Sequence, residues 1–530
     1  MGITAPPAET AWLLHHVLGF DAMPQADTTA ILEQATHTAE GVFAPLDRDG
    51  DRIGSRLVNG EVVTPPGFAD AFRAYAAAGW MGIAASPDHG GQGLPQMLAI
   101  AVSEPVSSAN LALSLCPMLT QDAIALLEAH GTPDQQHRLL RPMVAGRWTG
   151  TMCLTEPQSG SDLSGVRARA TPHARDEFLI TGQKVFITWG DHTMSDNILH
   201  MVIARLPDAP AGSAGISLFA VPKFLPDGTR NAVRCLSLEE KLGIHASPTC
   251  VMDFSNARGE MVGPPHRGLT CMFAMMNAAR LGVAMEGVGM AERAFRRAAD
   301  FSSQRNQGGG PIAGHPDVRR MLWTMRALAL GGRLLCLYAA AHADEPRGAL
   351  LIPVAKAWCT DAGVEAASLG VQVHGGMGFI EETGAAQHLR DVRITPIYEG
   401  TNGIQALTLL RRGLLRDQGA AVAALLTEIE FSSTASPALM RAAEAARASA
   451  DCLRRAEPRA AEAGASPFLQ VVGTLTAAWL CSRVLAHPEA PPTARSAAEV
   501  FLDQILPRLH SHAAALAAPT AALVGAETIA

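Results

Sequence analysis

The chain has 530 residues, a length that at about 150 residues per domain suggests three or four domains. It carries 42 basic and 50 acidic residues, and only four of the basic residues are lysines, which argues against a polybasic surface for nucleic acid or membrane. With 48% hydrophobic and 17% charged residues, and no unbroken run of 18 apolar residues, it matches neither a disordered protein nor a membrane-spanning one.

The first part of the chain has the spacing of helices. Apolar residues recur every three or four positions over residues 31–43, and similar stretches follow at 66–79, 98–110 and 121–130. The pattern predicts an N-terminal helical domain over residues 1–148.

In the next segment, short apolar runs alternate with turn-forming residues. Runs at 178–181, 185–188, 198–204, 216–221 and 250–254 are interrupted by Gly, Asn, Asp and Pro. This pattern is typical of short strands joined by turns, so residues 149–262 are predicted to form a small antiparallel β domain.

Helical spacing returns beyond this segment. Stretches at 269–304, 316–341, 349–372 and 403–416 are each long enough for a helix of a bundle, which predicts a helical domain over 263–416. The Ala-rich, mildly acidic remainder predicts an additional helical domain over 417–530. The fold class expected is therefore mainly α with a central β domain.

The cysteines and the N-terminal residues match no specific motif for a disulfide framework, a metal site or a secretory signal. Nine scattered cysteines include no Cys-x-x-Cys pair, so we expect neither a disulfide framework nor a metal site. Residues 1–20 contain no Lys or Arg ahead of their short apolar patch, unlike a secretory signal. The chain is predicted to be cytoplasmic.

Two segments place small and hydroxylated residues where a helix tolerates them poorly. The first is CLTEPQSGSD at 153–162, whose free N–H groups and hydroxyls suit a diphosphate or the polar edge of a heterocycle. An ordinary Ser-Gly turn is the alternative.

The second segment is YEGTNG at 398–403, preceded by HGGMGF at 374–379. A carboxylate beside glycine allows close approach of a substrate, and a Glu in apolar surroundings has a raised pKa that suits a base. Alternatively the segment only starts a helix, with Thr401 or Asn402 as its cap.

Taken together and in order, these motifs resemble those of the acyl-CoA dehydrogenase family over about residues 60–415. The matching segments are GGQGL (90–94), CLTEPQSGSD (153–162), GQKVFIT (182–188), KLGIHAS (241–247), ARL (279–281), QRNQG (304–308), QVHGGMG (372–378) and IYEGTNGIQ (397–405). The lead-in and the C-terminal extension are most similar to the 3-methylmercaptopropionyl-CoA dehydrogenase branch, which implies a place in DMSP degradation.

The resemblance implies the family's fold, with an N-terminal helical domain, a middle antiparallel β-barrel and a C-terminal four-helix bundle. It also implies an FAD enzyme that removes two hydrogens across Cα and Cβ of an acyl-CoA thioester. Glu399 aligns with the family's catalytic base, and its backbone N–H would polarise the thioester oxygen. The position of an alternative family base is Ala279, which favours Glu399.

Cofactor and substrate residues follow from the same alignment. Arg305 and Gln307 match a motif that reaches the FAD of a neighbouring subunit, which implies a homodimer or homotetramer. The remaining assignments are Thr155, Phe186 and Thr188 beside the isoalloxazine, Ser161 and Thr401 near the diphosphate, Gln372, Gly375 and Gly376 along the adenine half, and Arg280, Ser247 and Gly400 for substrate.

One further carboxylate lies on the helix that begins near Arg280. Glu286 is six residues further on, which places it roughly 120° around the helix from Arg280. We therefore expect it to lie away from the ligand, although it is the next candidate for the base.

Three positions depart from common family residues: Phe186 replaces Trp, Trp189 replaces Asn, and His245 replaces Arg. These changes bear on the acyl pocket and on docking of the electron acceptor, which the resemblance implies is electron-transferring flavoprotein or a similar carrier.

A broad medium- or long-chain acyl-CoA dehydrogenase is the alternative enzyme. A DNA-associated flavoprotein would need a basic C-terminal region, and a flavin oxidase or monooxygenase fits Glu399 less well.

Overall fold

A seven-stranded sheet interrupts an otherwise helical chain. The computed structural model describes residues 2–174, 176–432, 434–517 and 521–525. The chain divides into two compact units: residues 1–36, 96–108 and 280–530 form the first, and residues 37–95 and 109–279 form the second. The mainly helical fold with a central sheet confirms the predicted fold class.

Short helices and one small hairpin make up the first 147 residues. Asn110, whose side chain accepts a hydrogen bond from the Leu113 N–H at 3.0 Å, caps the longest of these helices. The elements are α1 Pro7–Trp12, α2 Gln25–Thr38, α3 Ala44–Ile53, the strands β1 Arg56–Val58 and β2 Glu61–Val63, α4 Phe68–Ala77, α5 Gln96–Ala109, α6 Leu111–His130, α7 Pro133–Gln135 and α8 Arg141–Val144.

The central sheet has the strands β3 Trp148–Cys153, β4 Arg169–Ala174, β5 Glu177–Thr188, β6 Asn197–Arg205, β7 Ile216–Pro222, β8 Val233–Leu238 and β9 Thr249–Val262. The order β6–β4–β5–β9–β7 closes on itself because β7 also pairs with β6, so these strands form a ring. Most pairs are antiparallel, as predicted.

Two pairs in this sheet differ from the expectation of a purely antiparallel domain. Strand β3 runs parallel to β6, from Trp148 opposite Asn197 to Cys153 opposite Val202. Strand β4 also meets β6 in parallel, at Arg169 opposite Arg205. Alternation in the sequence reports which face a side chain occupies and not the direction of the neighbouring strand, so this part of the prediction was wrong.

The inside of the sheet is apolar. Phe219 and Phe254 are 0% and 1% exposed, and they belong to a cluster that includes Ile180, Ile187 and Val202. Burying a side chain of this size stabilises the fold by about 1.5–3 kcal/mol. This core gives the loops at the rim of the sheet a rigid support.

Long helices follow the sheet. Gly287 and Gly363 allow two of them, α9 and α11, to approach closely, because a Cβ on Gly287 would lie 2.4 Å from the Cys359 carbonyl oxygen. The elements are α9 Gly268–Gln304, the hairpin strands β10 Asn306–Gln307 and β11 Gly310–Pro311, α10 Pro316–Ala341, α11 Pro346–His374, α12 Ala385–Val392, α13 Asn402–Thr408, α14 Ala420–Glu430, α15 Pro437–Arg455, α16 Pro458–Ala463, α17 Ala465–Ala486, α18 Pro492–Val500, α19 Arg508–Ala517 and α20 Ala521–Val524.

A buried network of ion pairs joins helices of the first unit. Arg333 donates to Glu104 at 2.7 Å and to Glu292 at 3.0 Å, and Arg326 donates to Glu292 at 2.8 Å and also to Glu9. All five side chains are at most 5% exposed. Each charge therefore has an opposite partner, as burial of a charge requires.

The C-terminal extension packs directly on the bundle. The Trp358 indole N–H of α11 donates to the Thr474 hydroxyl of α17 at 3.1 Å, and the Thr493 hydroxyl of α18 donates to Glu9 at 2.7 Å. Residues 417–517 thus lie in the same compact unit as the bundle helices and α1.

Among the described residues, three helices could cross a membrane by length and composition alone: α6, α9 and α17. In the described structure, 78%, 61% and 83% of their most apolar windows are buried inside the chain. The absence of membrane contact stays a prediction.

Candidate active site

Glu399 lies on a sharp turn between α12 and α13. Its φ is +54°, and that of Gly400 is +85°, so two successive residues adopt the left-handed conformation. For a residue with a Cβ this conformation costs about 1–2 kcal/mol, so the surrounding contacts must hold Glu399 there. Thr401 ends the turn, and its hydroxyl accepts the Ile404 N–H at 3.3 Å to cap α13. The segment therefore starts a helix and also presents a carboxylate.

Gln405 holds this turn from the inside. Its side-chain amide donates to the Glu399 and Gly400 carbonyls at 3.1 and 3.2 Å. A Cβ at position 400 would lie 2.8 Å from the same nitrogen, so glycine is needed both for its φ and for this contact.

Lys356 of α11 holds the turn from the bundle. Its Nζ donates to the Gly400 carbonyl at 2.9 Å and to the Asn402 side-chain oxygen at 3.0 Å, and the residue is 0% exposed. Burial lowers the pKa of Lys356 to about 8, against the opposing effect of the Glu399 charge.

Arg280 supplies the second positive charge near Glu399. It lies on α9, is 5% exposed, and has its pKa lowered by burial, while the charge of Glu399 acts in the opposite direction. Burial raises the pKa of Glu399, although Arg280 and Lys356 both lower it. A carboxylate whose proton affinity is increased by its surroundings is suited to act as a base.

A second carboxylate lies in the same cluster. The Tyr398 hydroxyl donates to Glu286 Oε2, and Glu286 is 2% exposed. Burial raises the pKa of Glu286 to about 7, the Tyr398 hydrogen bond opposes this, and the like charge of Glu399 adds to it. The 120° offset along α9 does not keep Glu286 away from Glu399, because the segment that carries Tyr398 reaches its side of the helix.

In the second unit, a buried ion pair fixes the Ser/Gly-rich loop. Lys184 of β5 is 0% exposed and donates to Glu156 at 2.8 Å and to the Leu154 carbonyl at 3.0 Å. Glu156 also accepts the backbone N–H groups of Arg167 and Ala168, at 2.7 and 3.0 Å. The loop is therefore a rigid feature rather than a loose turn.

This anchoring brings three of the predicted cofactor residues together. The Val185 N–H donates to the Thr155 carbonyl at 2.9 Å, which places Thr155 beside the end of β5 that carries Phe186 and Thr188. Phe186 has a φ of +61° and is 60% exposed, so its ring is accessible to solvent near the end of β5. Ser161 is exposed in the same loop.

Ser247 lies in a turn before β9. It is 0% exposed, its N–H donates to the Ile244 carbonyl at 3.0 Å, and its carbonyl accepts from Lys241 at 2.9 Å. Its hydroxyl oxygen is buried without a hydrogen-bond partner among the described residues. Such a group calls for a partner that the chain itself does not supply.

Two of the departures from common family residues have structural partners. The Trp189 indole N–H donates to the Ala112 carbonyl at 3.1 Å in a fully buried position. His245 Nδ1 lies 2.7 Å from Asp51 Oδ1. Both side chains therefore stabilise the second unit.

The residues assigned to the adenine half and to the neighbouring subunit lie elsewhere. Arg305 and Gln307, at the hairpin after α9, are exposed, as are Gln372, Gly375 and Gly376 at the end of α11. Stacking of Phe301 on His374, with ring centroids 4.3 Å apart, links the ends of these two helices. No hydrogen bond or ion pair among the described residues links this group to Glu399.

Sequence reasoning missed three residues of the Glu399 cluster: Lys356, Tyr398 and Gln405. One signal for Lys356 was present, because it is a lone lysine in a long apolar helix of a chain with four lysines. Tyr398 and Gln405 were inside a recognised motif, but their roles depend on contacts that spacing does not show.

Comparisons with known proteins give a consistent result. Three models of acyl-CoA dehydrogenase domains match in order: the N-terminal domain over residues 27–147, the middle domain over 151–257 and the C-terminal domain over 266–414. A 3-methylmercaptopropionyl-CoA dehydrogenase of Ruegeria pomeroyi is 44% identical over 494 residues, which cover 86% of this chain and 84% of that protein.

Solved structures agree with this result. An acyl-CoA dehydrogenase of Bacillus anthracis complexed with FAD matches with a TM-score of 0.80 over 96% of this chain and 91% of that one, and at 19% identity it shows the fold. A chain from a structure of the electron transferring flavoprotein of Acidaminococcus fermentans matches at 26% identity with a TM-score of 0.67, covering 75% of this chain and 100% of that one. The chain belongs to the acyl-CoA dehydrogenase family, whose members are FAD-dependent oxidoreductases.

Proposed function

We propose that this acyl-CoA dehydrogenase uses Glu399 to remove the Cα proton of its thioester substrate. The observation that carries the proposal is the placement of Glu399: a carboxylate of raised pKa, held on a strained turn between Lys356 and Arg280. An α-proton beside a thioester is weakly acidic, so removing it needs both a base and stabilisation of the enolate.

The residues of the chain fit FAD. The open ring of Phe186, the neighbouring Thr155 and Thr188, and the exposed hydroxyl of Ser161 offer an apolar surface beside polar groups, as a flavin with its diphosphate requires. FAD held by these residues would supply the acceptor for the hydride of Cβ. The proton from Cα passes to a side-chain oxygen of Glu399, and the product is the trans-2-enoyl-CoA.

The backbone at Glu399 supports the same step. Among the hydrogen bonds of the described residues, none uses the Glu399 N–H, so this group remains able to donate to the thioester oxygen. Donation there would stabilise the negative charge that develops on the oxygen. In the first unit, Arg280 and Gly400 are proposed as further substrate contacts. In the second unit, the same role is proposed for Ser247, whose hydroxyl has no hydrogen-bond partner among the described residues.

For the acyl group we propose 3-(methylthio)propanoyl-CoA. The support is the 44% identity to a 3-methylmercaptopropionyl-CoA dehydrogenase over most of both chains. A broad medium- or long-chain acyl-CoA dehydrogenase of fatty-acid β-oxidation is the second candidate, since it differs only in the depth of the acyl pocket.

We further propose that the active form is a homodimer or homotetramer. Arg305 and Gln307 on one side, and Gln372, Gly375 and Gly376 on the other, are exposed on one chain and so remain available to a cofactor held by a second copy. Electron-transferring flavoprotein or a similar carrier is the proposed acceptor of the electrons.

A panel of acyl-CoA thioesters tests the proposed function. Purified protein should be yellow with the spectrum of oxidised flavin, and mixing it anaerobically with each thioester should bleach the flavin. Fastest bleaching by 3-(methylthio)propanoyl-CoA supports the proposed substrate. Faster bleaching by octanoyl- or palmitoyl-CoA assigns the enzyme to the second candidate, and a protein that takes up no FAD contradicts both.

A further inference from the structure

A buried carboxylate beside the Glu399 turn has no role in the mechanism above. Glu286 lies on α9, and its Oε2 accepts the hydroxyl of Tyr398, the residue immediately before Glu399. Its other oxygen, Oε1, is buried without a hydrogen-bond partner among the described residues. A buried carboxylate that is only half satisfied is costly for the fold, so its presence calls for an explanation.

The contacts of Glu286 mirror those of Lys356. Lys356 reaches the turn from α11 and holds the Gly400 carbonyl, on the C-terminal side of Glu399. Glu286 reaches it from α9 and holds Tyr398, on the N-terminal side. Two buried side chains from two helices therefore hold the residues on both sides of the strained position 399.

The close approach of α9 and α11 sets the spacing between Glu286 and Lys356, the two side chains that hold the turn. Gly287 follows Glu286 directly, and a Cβ on Gly363 of α11 would lie 2.6 Å from the Gly287 carbonyl oxygen. A larger residue at either glycine would force α9 and α11 apart and with them the groups that hold the turn.

The charges around Glu286 form a small set. Tyr398 and Glu399 on the turn and Lys356 on α11 act on the pKa of Glu286, and the Glu399 carboxylate ionises before Glu286 does. Arg280, on the same helix as Glu286, acts on Glu399 and Lys356. Glu286 and Glu399 carry the same charge when both are ionised, so ionisation of one disfavours ionisation of the other.

We propose that Glu286 is a positioning residue for Glu399: its hydrogen bond with Tyr398 holds the turn on which the Glu399 carboxylate lies. The inference rests on the proposed role of Glu399. An apolar side chain at position 286 removes the acceptor of that hydrogen bond, so the turn loses its contact with α9.

The variant Glu286→Gln separates charge from contact, because the amide oxygen still accepts the Tyr398 hydroxyl. The measurement is the rate of anaerobic flavin bleaching by a reactive acyl-CoA, taken by stopped flow from pH 5 to 9. Because the hydrogen bond survives and Glu286 is still protonated while Glu399 ionises, we expect Glu286→Gln to bleach within about threefold of the unmutated enzyme with an unmoved acidic limb. Glu286→Leu, which removes the hydrogen bond, should bleach at least about tenfold more slowly.

The variant Tyr398→Phe tests the contact. It removes the hydroxyl that reaches Glu286 and keeps the ring, so we expect bleaching at least tenfold slower with FAD content and melting temperature close to those of the unmutated enzyme. Glu286→Leu should slow bleaching by a smaller factor in the Tyr398→Phe variant than in the unmutated enzyme, because the two residues act through one hydrogen bond.

A matched control is Asp300→Asn, which removes an exposed carboxylate from the same helix far from the turn. Its pH profile should coincide with that of the unmutated enzyme. The inference is overturned if Glu286→Gln bleaches as slowly as Glu286→Leu, or if Glu286→Leu and Tyr398→Phe slow bleaching additively. Failure of the proposed function is distinct, because then Glu399→Gln bleaches as fast as the unmutated enzyme.

Discussion

The Nζ of Lys356 lies 2.9 Å from the carbonyl oxygen of Gly400, and this hydrogen bond ties the turn that carries Glu399 to the middle of α11. The lysine is fully buried, so its charge acts on Glu399 with little screening by solvent. One side chain thus fixes the backbone next to Glu399 and also lowers the pKa of its carboxyl.

Substitution of Lys356 by Met tests both effects. Loss of the positive charge should raise the pKa of Glu399, so the acidic limb of the bleaching rate should move to higher pH, in contrast to Glu286→Gln, whose acidic limb stays in place. Loss of the hydrogen bonds to Gly400 and Asn402 should slow bleaching by at least tenfold at every pH. A pH series of stopped-flow traces measures both, and an unmoved limb would mean that Lys356 has only a structural role.

The most direct prediction concerns Glu399 itself. Glu399→Gln is nearly isosteric and keeps the backbone N–H, but it cannot accept the Cα proton. General-base catalysis typically contributes about a hundred- to ten-thousand-fold, and Ala279 provides no second carboxylate at the alternative position. Flavin bleaching should fall by at least that factor, while FAD content and binding of a thioester ligand stay intact. Unchanged bleaching would place the base elsewhere, and Glu286 would be tested next.

Much of this arrangement was accessible from the sequence. Apolar spacing predicted the three longest bundle helices closely: residues 316–341 match α10, while 269–304 and 349–372 lie inside α9 and α11. Strands were harder: β5 runs through the positions between the predicted runs 178–181 and 185–188, and β9 continues well beyond the predicted run 250–254. Strand β3, with Thr149, Gly150 and Thr151 buried, has no alternation to detect.

The candidate site shows a similar limit. The motif around Glu399 identified the carboxylate, but spacing along α9 could not show that Tyr398 reaches Glu286, since that contact joins residues 112 positions apart. Lys184 and Glu156 were both inside quoted motifs, yet their pairing depends on how β5 closes against the loop.

That pairing makes a prediction about stability. Lys184→Met leaves Glu156 as a buried charge without its ammonium partner, and breaking such a pair typically costs about 3–5 kcal/mol. We expect a lower melting temperature and loss of FAD, because the loop that carries Thr155 and Ser161 is anchored here. Adding Glu156→Gln, which removes the orphaned charge, should recover part of the stability. Calorimetry and the flavin-to-protein absorbance ratio measure both, and full stability of Lys184→Met would show that the pair does not anchor the loop.

The two arginines assigned from family motifs should fail in different ways. Arg280 is buried beside Glu399, whereas Arg305 is exposed at the hairpin after α9. Arg280→Ala should slow bleaching and weaken thioester binding with FAD retained, because it removes a positive charge from the site of proton transfer. Arg305→Ala should instead lower FAD occupancy or shift the oligomer toward monomer, as expected if its guanidinium reaches the FAD of a second copy.

Light scattering at micromolar concentration, with the flavin spectrum recorded on the same samples, separates these outcomes. Equal loss of flavin in both variants would refute the division of roles, and a monomer that keeps its flavin in the unmutated protein would remove the reason to place Arg305 at an interface.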